Sequence, residues 1–154
     1  HRMVEDYVHR SYLPSAINWN LIQSDNFSRT RDLSAWIKHV RANWSQLKIL
    51  EKRTDAKHSV KAGNSLKVEV IMYLGQLSPE ELSVDIYYGR VDSKAEFIDR
   101  ATITLHDFIQ EDSRTIFHGE IPCQEVGRFG FRIRILPYHP MLSKPYSLGL
   151  TLWG

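Results

Sequence analysis

Two periodicities divide the apolar residues of this chain. Leu33, Trp36, Ile37, Val40, Trp44 and Leu47 fall at offsets 0, 3, 4, 7, 11 and 14, one stripe of a 3.6-residue repeat, and predict an amphipathic helix over 31–47. Ser28 or Thr30 is placed to cap it, with Asp32 in the first turn, where the helix dipole favours an anion. Met3, Val4, Tyr7, Val8 and Tyr12 show the same spacing and predict an earlier helix, ended by Pro14. A chain that opens inside a helix predicts a piece of a longer polypeptide. A polar connector rich in Ser and Asn, with Trp19 and Phe27 as isolated aromatics, separates the two helices.

From about residue 48 the period drops to two. Leu66, Val68, Val70, Met72 and Leu74 alternate with Lys67, Glu69, Ile71 and Tyr73, and Leu82, Val84, Ile86 and Tyr88 alternate with Ser83, Asp85 and Tyr87. Further strands are predicted at Ala101–Leu105, around Thr115–Ile121, along Phe129, Phe131, Ile133 and Ile135, and along Leu148, Leu150 and Leu152. Turn signals stand between them: Ala62-Gly63-Asn64, Ser78-Pro79, Gly89, Asp112-Ser113, Gly127, and the loop of Pro137, Pro140 and Pro145. Six or seven short strands with no crossover helix predict a mainly β fold, an immunoglobulin-like antiparallel β-sandwich preceded by two N-terminal helices.

Composition narrows the function classes. With 42% hydrophobic and 25% charged residues among 154, the chain can bury a core of its own. A net charge of +2 supplies no global field for a nucleic-acid or membrane partner, and no apolar run nears the length that spans a bilayer. The single cysteine, Cys123, excludes an internal disulfide framework and fits a reducing, cytoplasmic setting.

Two motifs imitate chemistry. Gly127-Arg-Phe-Gly-Phe-Arg-Ile-Arg-Ile-Leu-Pro137 nearly spells the RNA-contacting strand of an RRM domain. Alternation, however, puts Phe129, Phe131, Ile133 and Ile135 on one face, continuous with an aliphatic stripe, and Arg132 and Arg134 on the other, so the phenylalanines read as core. The arginines are left to pair across the sheet or to meet a neighbouring domain. His118-Gly-Glu120-Ile-Pro122-Cys123 echoes a zinc deaminase, but the two elements abut and the second cysteine is missing. The seven histidines contain no i, i+4 pair, and neither a phosphate loop nor a Gly-x-Ser-x-Gly elbow occurs. These patterns predict no catalytic residue, no cofactor-binding residue and no metal ligand. Tyr73, Tyr87 and Trp153 fall on the polar register of their strands, as a platform for sugar rings or as a face covered by a helix or domain. Together with Arg132 and Arg134 they form the candidate sugar-binding or interdomain surface.

Several stretches in order carry a resemblance: RMVEDYVHRSYLPSA, LSAWIKHVRANW, VKAGNSLKVEVIMYLGQLSPEELSVDIYYG, FHGEIPCQEVGRFGFRIRILPYHP and LGLTLWG. The chain resembles, over nearly its whole length, the C-terminal end of bacterial and archaeal α-glucan (glycogen/maltodextrin) phosphorylases. The more specific pieces are Ile121-Pro-Cys, Gly127-Arg-x-Gly-Phe and Leu136-Pro-x-His-Pro140. The resemblance implies a parent glycosyltransferase that uses pyridoxal phosphate (PLP) to cleave α-1,4-glucan with phosphate to glucose 1-phosphate. The family's Schiff-base lysine lies in a Glu-Ala-Ser-x-Thr-Gly-x-Asn-x-Lys context. Gly63-Asn64-Ser-Leu-Lys67 echoes only its end, so no catalytic residue carries over. The resemblance makes residues 1–47 a helical segment, with 1–13 the tail of the parent's catalytic domain and 31–47 the amphipathic helix. Residues 48–154 become a non-catalytic β-sandwich accessory domain. Its implied partners are the parent's catalytic domains, α-glucan and a second copy in a homo-oligomer; nucleic acid and membrane are not among them.

Overall fold

The computed structural model describes residues 28–55, 60–142 and 144–154, which fall into two units divided between His39 and Val40. Helix α1 spans Ser28–Asn43, and a 3-10 turn continues it through Trp44–Gln46. The predicted stripe is the shielded one: Leu33, Trp36, Ile37 and Trp44 are half-buried, and Val40 and Leu47 are buried. The helix begins earlier than the capping pattern implies, so Asp32 lies beyond the first turn, which contains no acid. It also stops earlier, because the Leu47 N–H turns back to the Trp44 carbonyl (3.2 Å) and Leu47 itself is extended. The helix expected from Met3 to Tyr12 lies outside the described residues.

Eight strands follow: β1 Lys48–Thr54, β2 Asn64–Tyr73, β3 Leu82–Arg90, β4 Ala101–Leu105, β5 Asp107–Glu111, β6 Arg114–Cys123, β7 Phe129–Pro137 and β8 Leu152–Trp153. They form two four-stranded antiparallel sheets, ordered β1-β2-β6-β5 and β4-β3-β7-β8. The alternating residues Val68, Val70, Met72, Val84, Ile86, Phe117, Ile133 and Ile135 are almost wholly shielded from solvent. The two sheets meet at Gly119 of β6, where an added Cβ would overlap Leu105 Cδ2 and lie 3.3 Å from Ile86 Cδ1 of the other sheet. The fold is mainly β, as the alternation predicts, with one helix among the described residues.

Several details depart from the expected pattern. Alternation in β1 is interrupted by a register shift between Ile49 and Glu51, which leaves Leu50 out of step. Only His106 separates β4, the strand expected at Ala101–Leu105, from β5, which the alternation did not predict, and the two belong to different sheets. The last strand shrinks to Leu152–Trp153, because Pro145–Leu148 forms a 3-10 turn that Gly149 leaves at φ 69°. Gly89 is not a turn. It lies within β3, where a side chain would overlap the Asp99 carbonyl oxygen of the passing loop. The Phe129–Ile135 stripe is core only from Ile133 onward: Phe131 is half-buried and Phe129 is 38% exposed. Phe129 forms the terminal ladder pair with Arg90, at the end of the sheet where apolar cover gives out.

Candidate interaction surface

The polar register of the β4-β3-β7-β8 sheet builds one continuous row. Asp85 of β3 pairs with Thr104 of β4 and Arg134 of β7, and Arg134 pairs in turn with Trp153 of β8. One step along, Tyr87 pairs with Thr102 and Arg132. Asp85 is only 4% exposed although it points away from the core stripe. Its Oδ2 accepts Arg134 Nη2 at 2.8 Å and Nε at 3.2 Å, and its Oδ1 accepts Thr104 Oγ1 at 2.8 Å and Ser83 Oγ at 3.1 Å. A buried carboxylate survives there because every donor around it is aimed at it.

That anchor fixes the Arg134 guanidinium against two rings, 5.6 Å from the Tyr87 centroid and 5.9 Å from that of Trp153. Tyr87 meets Phe97 and Trp153 edge-on, with centroids 5.8 and 6.0 Å away and planes at 87° in both pairs. Arg100 sits 5.8 Å from the Tyr87 ring, and Arg132 lies 6.0 Å from Phe97. Phe97 reaches the cluster from the loop after β3, where it bridges Val91. Asp92 shapes that loop by accepting the Lys94 and Glu96 N–H groups at 2.8 and 2.9 Å. The result is a fixed cation–π and edge-to-face array with three arginines against one carboxylate. Its outermost ring, Trp153, is 51% exposed.

Four of the five candidate residues therefore belong to one array. Tyr73 does not: it ends β2 in the other sheet, opposite Lys48, and is 39% exposed. Tyr87 meets two rings at right angles and is approached by two guanidiniums, which leaves Trp153 as the exposed ring of the array. Periodicity alone missed Asp85, Thr104, Arg100 and Phe97. Asp85 stands on the visible polar register, but its complement, Arg134, is 49 residues away, and only strand order connects them.

The array can bind but holds no nucleophile beside a base. On β6, His118 Nδ1 stands 3.8 Å from Glu69 Oε1, Glu120 accepts Ser65 Oγ at 2.9 Å, and Cys123 Sγ donates to the Ile121 carbonyl at 3.6 Å. No three His, Cys, Asp or Glu side chains among the described residues converge as metal ligands. No helix among them is long and apolar enough to cross a membrane.

Residues 44–154 match the family model of the glycogen phosphorylase C-terminal domain. The chain is 29% identical over 152 residues to a glycogen phosphorylase of Mycobacterium bovis, a match covering 97% of this chain and 18% of that protein. It is 29% identical over 163 residues to a maltodextrin phosphorylase of Thermococcus litoralis, covering 99% of this chain and 18% of the relative. A glycogen phosphorylase of Mycobacterium tuberculosis matches at 28% over 152 residues. The chain thus spans about a fifth of the length of these curated relatives, 18% in each case. No solved structure matches it. From the family match over most of its length, the chain belongs to the glycogen phosphorylase C-terminal domain family.

Proposed function

We propose that this chain is a non-catalytic accessory domain of a cytoplasmic α-glucan phosphorylase and docks on the parent's catalytic domains through the Asp85–Arg134 array. The carrying observation is the exposed Trp153 held beside Tyr87 by a buried ion pair. Trp, Tyr and Arg are the residues that dominate binding energy at protein interfaces, and here their geometry is set before a partner arrives. The proposed division places the accessory domain at 48–154. Its strand order supports an immunoglobulin-like sandwich: β1-β2-β6-β5 follows the A-B-E-D sheet, and β3-β7-β8 follows C-F-G with β4 added at the edge.

The parent reaction would be PLP-dependent phosphorolysis of α-1,4-glucan. The residues here do not fit the cofactor. Lys67, the one lysine with an echo of the family motif, lines an open surface hollow with Glu69, Asp107 and Glu120, whose charges oppose a phosphate. No step of the reaction is assigned to this chain.

The test is binding in trans to the parent phosphorylase truncated before this domain. Co-elution is expected, weakened at least tenfold by Trp153→Ala. Absence of binding, or binding indifferent to Trp153→Ala, would overturn the docking reading. The exposure of Trp153 also favours a second reading, a glucan-binding platform. Titration with a maltooligosaccharide, followed by NMR, decides it: unchanged signals at Tyr73, Tyr87 and Trp153 remove that reading.

A further inference from the structure

Where the chain crosses between the sheets at His106, the apolar layer is left unfilled. β4 ends at Leu105 on the edge of one sheet and β5 starts at Asp107 on the edge of the other. Phe108 of β5 stands directly opposite Phe117 of β6 and so shares its inward face. Their rings meet at a tilt, with centroids 5.7 Å apart and planes at 48°. Phe117 is 2% exposed, but Phe108 is only half-buried. A cleft of about 500 Å³ opens beside them. Its deepest lining is Leu82, Leu105 and Phe117, each at most 7% exposed, and its accessible lining includes Phe108, Tyr138 and Pro145.

The lining is held in place by its own turns. Tyr138 N–H donates to the Glu81 carbonyl at 2.7 Å, and Glu81 Oε2 accepts the Ser78 N–H at 2.9 Å. The polar groups then sort by what already holds them. Ser83 Oγ and Thr104 Oγ1 are both spent on Asp85. Glu80 is not: it is exposed, its carboxylate accepts no hydrogen bond among the described residues, and it is the only Asp, Glu, Lys or Arg in the lining. His106 and Tyr138 add an imidazole and a phenol at exposed positions.

We propose that this cleft is a binding site for a small aromatic amine, with the ring in the apolar lining and the ammonium at Glu80. Its size falls in the range of roughly 300–1,000 Å³ that suits small organic ligands. The sign of the charge follows from the lining. Phe108, Phe117 and Tyr138 present ring faces with negative potential, and the one ionic group beside them is a carboxylate. Against apolar walls that carboxylate acts through a lower dielectric than water, which strengthens its hold on a cation and its rejection of an anion. None of Tyr87, Arg132, Arg134 and Trp153 lines the cleft, so docking and amine binding stand or fall separately.

The test is titration of this chain, followed by NMR, with three probes that share a phenethyl body and differ in charge: phenethylammonium, phenethyl alcohol and hydrocinnamate. The cation should bind at least about fivefold tighter than the alcohol, the worth of one partly desolvated cation–π or charge-assisted contact, and the anion should bind most weakly. Shifts should centre on His106, Phe108 and Tyr138. Glu80→Gln should remove the preference for the cation and leave binding of the alcohol unchanged. Phe108→Leu, which keeps an apolar body on the edge strand, should weaken the cation and the alcohol alike. Because Glu80 is exposed, Glu80→Gln keeps the fold and carries the test even where Phe108→Leu does not fold. No saturable shift with any probe, equal affinity for all three, or shifts centred away from the cleft would overturn the proposal. So would a preference for the cation that survives Glu80→Gln.

Discussion

Replacing Arg134 by Met should cost this domain more than a typical surface ion pair, and the structure sets the size. Asp85 is 4% exposed, and two of its four hydrogen bonds come from Arg134. Breaking a fully buried pair costs about 3–5 kcal/mol, because the orphaned charge stays desolvated. Two features reduce that here. The Arg134 side chain is 28% exposed, and Thr104 and Ser83 still donate to the carboxylate after it is lost. The guanidinium's contacts with Tyr87 and Trp153 add about 0.5–1 kcal/mol at a partly exposed site. The expected loss for Arg134→Met is therefore about 2–3 kcal/mol, a fall in Tm of about 10 °C for a unit of this size. Asp85→Asn should cost less, about 1–2 kcal/mol, since the freed guanidinium can turn toward water. The double variant should cost little more than Arg134→Met alone, giving a coupling of about 1–2 kcal/mol. Urea unfolding of the three variants, followed by circular dichroism at constant m, measures this cycle. Additive losses, or an Arg134→Met loss below about 0.5 kcal/mol, would mean that the pair is solvated like an ordinary surface bridge and does not anchor the array.

Two glycines give a second, comparative prediction. Gly89→Ala drives a methyl into the Asp99 carbonyl, which is backbone, whereas Gly119→Ala meets the ends of Leu105 and Ile86 side chains. The first should destabilise by about 2–4 kcal/mol and the second by about 1–2 kcal/mol, a ranking that thermal melts would reverse if the Asp99 loop yields easily. The third prediction concerns acid. The Arg90 backbone N–H, and then its side chain at 2.6 Å, hold the Asp99 carboxyl below its ordinary 3.8. A depressed folded-state pKa gives stability that is present above 3.8 and lost as the pH falls through the folded value. Asp99→Asn should therefore flatten the stability profile below about pH 4 and leave its shape near neutrality unchanged; an unaltered acid limb would show that the contact does not persist in solution.

What could be read in the sequence was local. Alternation found Val68, Val70, Met72, Val84, Ile86, Ile133 and Ile135 because side chains on a strand must alternate between faces, and the same rule put Arg132 and Arg134 outward. The helix stripe was equally plain, since a 3.6-residue repeat is set by neighbours a few positions away. Anything that depends on which strand lies beside which was hidden. The Asp85–Arg134 pair joins β3 to β7, and the register that aligns them is a property of the assembled sheet. The crossing at His106 was hard to read for a different reason: a change of sheet there uses a single residue, marked only by the polar pair His106-Asp107 and the apolar pair Phe108-Ile109. Phe129 misled because alternation gives a face but not an end, and solvent begins where the ladder stops. Phe97 carried no signal, since it lies in a loop shaped by Asp92 rather than in a repeat.

The two outer faces therefore solve different problems with similar residues. On the β4-β3-β7-β8 face, opposite charges are joined within one chain: Asp85 consumes the Arg134 fork, and what remains outward is an aromatic edge beside two further arginines. Such a face favours a partner unlike itself, because three guanidiniums and one shielded carboxylate repel their own copy. On the β1-β2-β6-β5 face the charges are settled locally instead: Glu51 holds Arg53 at 2.7 Å, and Glu111 stands opposite Arg114. Facing sheets lie about 10 Å apart, so contacts on one outer face are beyond the direct reach of those on the other. Trp153→Ala should therefore weaken docking and leave the other outer face unchanged.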